Sequence, residues 1–131
     1  MANTQAMCTS FKTEILSGIH ALGTTVIRAG TGADTLKAAL YLASATVNAS
    51  TTAYSATGEV SGAGYSAGGV TATNATAPTS SGTTAYWTPS ASFTYTTVTL
   101  TTSFDCVLVY NSTQSNKAIS VHTFGAQTIT A

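Results

Sequence analysis

The sequence predicts a mainly β protein, an antiparallel β-sandwich of jelly-roll-like kind with one N-terminal α-helix. Three observations carry that expectation. Ala, Ser and Thr make up nearly half of the 131 residues, and from residue 34 onward alternating or continuously apolar runs recur between turn signals. A three-and-four spacing of apolar residues occurs only near the start. A chain of this length holds one domain with a real core, read as a helix over 4–22 followed by a β-sandwich over 24–131.

In the helical stretch, Met7, Phe11, Ile15, Ile19 and Leu22 fall on one face, the stripe a helix uses to dock on its own sheet. Asn3 or Thr4 can cap its start and Gly23 can end it. Thr24–Arg28 reads as a short strand. Residues 34–42 read as a clearer one, in which Leu36, Ala38, Leu40 and Leu42 share a face. A polar connection over 43–57 leads into a glycine-rich corner, then a strand near 69–77 that Pro78 closes, then a loop over 79–84. Tyr86-Trp87, 92–100 and 104–110 carry strong β signals, and the last is so nearly continuous in apolar residues that it is the expected central buried strand. Asn111–Asn116 is a turn, and 118–122 and 127–130 supply two closing strands.

Composition excludes several functions. Only 6% of residues are charged, the net charge is zero and the mean hydropathy is +0.23, unlike a disordered chain. Lys12, Arg28, Lys37 and Lys117 are scattered, too sparse to displace counterions from nucleic acid. No run approaches the ~18 apolar residues that cross a membrane. The N-terminus lacks the basic-then-apolar order of a signal peptide, so the chain reads as made in the cytosol. A neutral surface of hydroxyls and methyls has little electrostatic protection against association, which suits life inside an assembly.

The stretch "GEVSGAGYSAGGVTAT", residues 58–73, contains two near-misses to nucleotide-binding loops. Gly62 to Ala67 satisfies a GxGxxG/A spelling, but β-branched residues follow it and no acid lies about 20 positions on. Gly64 to Gly69 has P-loop spacing, but Val70 occupies the place of the lysine. The segment therefore reads as a corner in a β protein, where glycines allow positive φ or close backbone approach.

No catalytic residue, cofactor or metal site is expected. Glu14, Asp34, Glu59 and Asp105 stand apart in sequence and read as caps and turn residues. His20 and His122 lack metal-ligand spacing, no nucleophile elbow is present, and Cys8 and Cys106 read as small buried hydrophobes. Tyr54, Tyr65, Tyr86 and Trp87 lie in turn-like or edge regions, where such rings make protein contacts. They are the candidate partner-contact residues, with packing beneath their own loops an equally open reading.

Four segments together suggest a family: "LKAALY" at 36–41, "GEVSGAGYSAGG" at 58–69, "FDCVLVYN" at 104–111 and "HTFG" at 122–125. This order of motifs resembles a group of small tailed-bacteriophage virion proteins, with Lys37, Glu59, Tyr65 and Tyr110 where the pattern places them. The glycine corner is the most specific piece. Members of the group continue past F-G through a further strand, whereas this sequence stops at Ala131. The resemblance implies a capsid cement, or decoration, protein: non-enzymatic, carried on the virion surface and made in the host cytoplasm. It would bind the major capsid protein and copies of itself as a dimer or trimer, without nucleic acid, membrane or cofactor. The alternative it implies is a tail or receptor-binding structural subunit.

Overall fold

A computed structural model describes residues 3–16, 18–23, 32–81 and 83–131. In chain order its elements are β1 (Ala6–Met7), α1 (Thr9–Leu16), β2 (Leu36–Leu42), β3 (Gly62–Ala63), β4 (Val70–Thr71), β5 (Thr79–Ser81), β6 (Thr84–Tyr86), β7 (Thr99–Leu100), β8 (Phe104–Asn111) and β9 (Lys117–Gln127). The chain is mainly β, its strand pairs are antiparallel, and the one helix among the described residues is short and near the N-terminus.

Five strands form the main sheet in the order β1-β9-β8-β2-β4. The apolar run 104–110 is its middle strand, as its lack of alternation predicts for a strand covered on both faces. Alternation then sorts the sheet. Ala39 and Tyr41, opposite Leu108 and Cys106, point to one face; Ala38 and Leu40, opposite Val109 and Val107, point to the other. The first face packs against Ala45, Val47 and Tyr54 of the 43–57 connection. On the second, Ala38, Leu40 and Val107 pack with Val60, Tyr95 and Leu100, so the β3–β7 ribbon forms a second layer. That layering is consistent with a sandwich, although the second layer among the described residues is a two-stranded ribbon rather than a four-stranded sheet.

The helix is shorter than its spacing predicts, Thr9–Leu16 instead of 4–22. Residues just before it are claimed by the sheet: Ala6 and Met7 pair with Val121 and Ser120, and the Cys8 amide donates to the Ile119 carbonyl at 3.0 Å. Asn3 caps no helix; its side chain accepts from the Val47 amide and donates to the Leu42 carbonyl and the Asp105 carboxylate. The helix ends at Gly18, not Gly23. Gly18 has φ +68°, and the amides of Gly18 and Ile19 return to the carbonyls of Ile15 and Glu14, a Schellman closure. The apolar stripe is accordingly broken, with Phe11 buried but Met7 51% and Ile15 45% exposed.

Other boundaries move for similar reasons. Thr24–Arg28 lies outside the described residues. The strand expected over 69–77 is only Val70–Thr71, and of 92–100 only Thr99–Leu100 pairs. The loop expected over 79–84 is instead part of the β5–β6 hairpin. The two closing strands are one strand, Lys117–Gln127, interrupted where Cys106 pairs with Thr123 but Phe104 pairs with Gln127; residues 124–126 bulge outward there, with Gly125 at φ +71°. Residues 128–131 form no strand.

Candidate functional site

The glycine corner is built around one carboxylate. Glu59 Oε1 accepts from the Tyr65 hydroxyl and the Gly68 amide, both at 2.7 Å, and Oε2 accepts from the Tyr54 hydroxyl at 2.6 Å. The Tyr110 hydroxyl donates to the Gly68 carbonyl at 2.8 Å, and its ring stacks on Tyr54 with centroids 4.8 Å apart. Tyr65 stacks in turn on Tyr95 at 6.1 Å. A loop with phosphate-binding spelling does hold an anion at a backbone amide, and that anion is its own Glu59.

Two of these tyrosines also finish the sheet. β4 pairs with β2 only at Lys37 and Ala38, which leaves the rest of that edge without a strand. The Tyr65 hydroxyl accepts from the Leu40 amide at 3.0 Å, the Tyr95 hydroxyl donates to the Ala38 carbonyl at 2.7 Å, and the Val60 amide donates to the Leu40 carbonyl at 3.0 Å. Unpaired buried backbone groups cost about 1–3 kcal/mol each, so these contacts hold the corner to the sheet. Close approach also dictates the glycines. A Cβ at Gly69 would lie 1.7 Å from the Ala38 carbonyl oxygen, and one at Gly64 would lie 2.2 Å from that of Thr97; both residues have positive φ.

Burial raises the pKa of Tyr65 above the ordinary phenol value, and the hydrogen bond and negative charge of Glu59 raise it further. The same causes act on Tyr54. Tyr41 is pushed up to about 12, by burial first. All three remain neutral donors at ordinary pH. The corner's outer residues, Ser61, Ala63, Gly64, Ser66 and Ala67, are exposed. Residues 60–104 contain no Asp, Glu, Lys, Arg or His.

A second cluster joins the helix to the sheet. Glu14 accepts from Lys117 Nζ at 2.6 Å and pairs with His20 Nε2 at 2.7 Å. His20 Nδ1 meets Asn111 Nδ2 at 2.9 Å. Asn111 also donates to Asp34, whose carboxylate takes the Ala21 amide and the Gln114 side chain as well. Glu14 and Asp34 are therefore buried members of a network rather than surface caps. Burial alone would raise the Glu14 pKa, but the hydrogen bonds from Lys117 and His20 and the positive charge of Lys117 outweigh it and hold the carboxyl below its ordinary value. With both imidazole nitrogens engaged and the His20 side chain fully covered, the cluster binds the helix, the segment after it and the sheet together.

The candidate contact residues divide. Tyr54 and Tyr65 are half-buried members of the Glu59 network. Trp87, also half-buried, donates its indole N–H to the Thr76 carbonyl at 3.0 Å. Tyr86, 45% exposed, is the one that faces outward. Cys8 and Cys106 are buried free thiols. Among the described residues no group of three His, Cys, Asp or Glu side chains is placed to hold a metal ion, and no helix is long and apolar enough to cross a membrane. A shallow cleft of about 120 Å³ lies between Tyr65, Ser66, Val70, Tyr95 and Thr96, lined by ring faces whose hydroxyls are already engaged.

Sequence reasoning identified the corner but missed the role of Glu59. The one available signal was its isolation, since it is the only charged residue between Lys37 and Asp105. No family description, curated protein or solved structure matches the chain.

Proposed function

We propose that the chain is a non-enzymatic capsid cement protein, which binds the outer surface of an icosahedral phage head and stabilises contacts between major capsid protein subunits. Together with the order of motifs, one observation supports this reading: the corner 58–69 is tied to the sheet by Glu59 and presents small, uncharged, exposed residues. A surface fixed before binding loses little conformational entropy on docking. Small side chains let a partner's backbone approach closely. Each contact can be weak, because many copies on one shell add their stabilisation and act only on the form they bind.

The test is co-sedimentation of the purified protein with expanded shells that lack it, counting bound copies per shell subunit. A simple ratio of copies to shell subunits is expected. A handful per particle would indicate a tail or receptor-binding subunit, and no binding would remove the head from consideration. Ala67→Glu, which puts a charge on the corner without touching the Glu59 network, should abolish binding while leaving the melting temperature of the free protein within a degree or two, as expected for an exposed substitution.

A further inference from the structure

Two stacked rings wall the cleft of about 120 Å³ beside the glycine corner, Tyr65 and Tyr95, with centroids 6.1 Å apart and planes inclined by 15°. Their hydroxyls are committed elsewhere, Tyr65 to the Leu40 amide and Glu59 and Tyr95 to the Ala38 carbonyl. The Gly69 amide likewise donates to the Ser66 carbonyl within the corner. What the cleft offers a guest is ring face, the methyls of Val70 and Val98, and the bare Cα atoms of Gly64 and Gly69.

Both walls are held in place. The corner is tied by Glu59. The facing turn keeps Thr97 at φ +54°, a left-handed conformation that β-branched residues rarely adopt and that concentrates at ligand clamps. Its carbonyl is pressed so close to Gly64 that a Cβ there would lie 2.2 Å away. A polar guest would give up its water and find no partner in these walls. A cation would gain the ring faces, but no acid occurs from 60 to 104 to complete its recognition. An aliphatic group meets neither difficulty, and the size suits it: a dry cavity of ~150 Å³ takes up a benzene ring.

We infer that this cleft receives one aliphatic side chain, of about leucine size, from the protein on which the chain docks. The cleft is open on one side. A free molecule would leave that side in water, whereas a side chain is covered by the surface it projects from, the surround that shields a hot spot. The cleft also adjoins the exposed Ser66 and Ala67 of the corner, so one docked surface meets both. Identifying the docked protein as the major capsid protein rests on the cement reading above; the chemistry of the cleft does not.

Titration with N-acetyl-leucine methylamide, followed by amide NMR of the intact chain, tests the chemistry. Saturable shifts confined to 64–70 and 95–98 are expected, weak because so few atoms are in contact, and none from the lysine and glutamate analogues. Two variants should each abolish the leucine shifts and lower shell affinity at least about tenfold. Val70→Phe fills the cleft. Ser66→Glu, at an exposed position that tolerates substitution, sets beside it a charge that docking would strip of water. Shifts that are absent or scattered overturn the inference, as does a lysine analogue that binds as well as leucine, or a folded variant of either kind that holds shells as the parent does. Leucine binding at the cleft by a chain that holds no shell would retire the capsid reading alone.

Discussion

Asn111 and His20, 91 positions apart, meet side chain to side chain at 2.9 Å. The direction of that bond is fixed by their other partners. Asn111 Oδ1 accepts from the amides of Thr113 and Gln114, so its Nδ2 must face both Asp34 and His20. His20 therefore accepts at Nδ1 and donates from Nε2 to Glu14, the tautomer a hydrogen-bond inventory demands. One asparagine thus orders the turn after β8 and fastens the segment that follows α1.

Glu59→Gln tests whether the corner is held as described. The amide would turn a donor toward groups that are themselves donors, Tyr65 and Gly68 or Tyr54. The expected loss is about 2–4 kcal/mol in urea unfolding, the cost of charge-assisted bonds replaced by an unpaired buried donor. A loss below about 0.5 kcal/mol, the range of surface substitutions, would mean the carboxylate does not hold the corner.

Gly69→Ala should be far worse than Gly125→Ala. Both positions have φ near +72° (φ 72° and 71° respectively), so the intrinsic strain is alike. At Gly69 the new methyl meets the Ala38 carbonyl at 1.7 Å, whereas at Gly125 nothing lies within 4 Å. Gly125→Ala is expected to cost about 1–2 kcal/mol. Gly69→Ala is expected to exceed it by several kcal/mol or to yield no soluble protein. Equal melting temperatures would refute the close approach.

Val107→Asp should prevent folding, because Val107 is buried between Leu40 and His122 in the middle of the sheet and an unpaired carboxylate there is prohibitively costly. A soluble variant with a cooperative melt would displace β8 from the centre of the fold.

Acid stability should depend on Glu14. Its carboxyl is held below the ordinary value of 4.5, so the unfolded chain takes up that proton first as pH falls. The contribution is complete above 4.5 and is lost as pH drops through the lower folded value. Glu14→Gln should be less stable at neutral pH and show a flatter acid limb. Parallel acid limbs would exclude the Glu14 assignment.

The thiols should be silent in the native protein. Burial raises Cys8 to about 11, with help from the charge of Glu14, and Cys106 to about 12, with help from Asp105. A disulfide-exchange reagent at pH 8 should label neither until denaturant is added, and then both. Rapid native labelling of either would show that its segment opens.

The elements legible in the sequence are those whose signal is local. β2 and β8 announce themselves by apolar runs, and the rejection of a phosphate loop needed only Val70 and the missing acid. The helix was overextended because Met7 fits a helical spacing, whereas its backbone bonds belong to β9, a partner more than a hundred positions away. The β5–β6 hairpin escaped notice because Thr and Ser are ambiguous between strand and loop, and no alternation marks its register. The Glu59 network was illegible for a different reason: Tyr54, Tyr65, Gly68 and Tyr110 converge only after the sheet has formed. Periodicity carries no trace of such a meeting.

Trp87, the single tryptophan of the chain, stands immediately after the last residue of the hairpin, its indole N–H fixed to Thr76. One fluorophore therefore stands at the root of the β5–β6 hairpin. Its emission, selectively excited over that of the six tyrosines, would report the surroundings of this root in the intact, unlabelled protein, whether alone, crowded or seated on a particle.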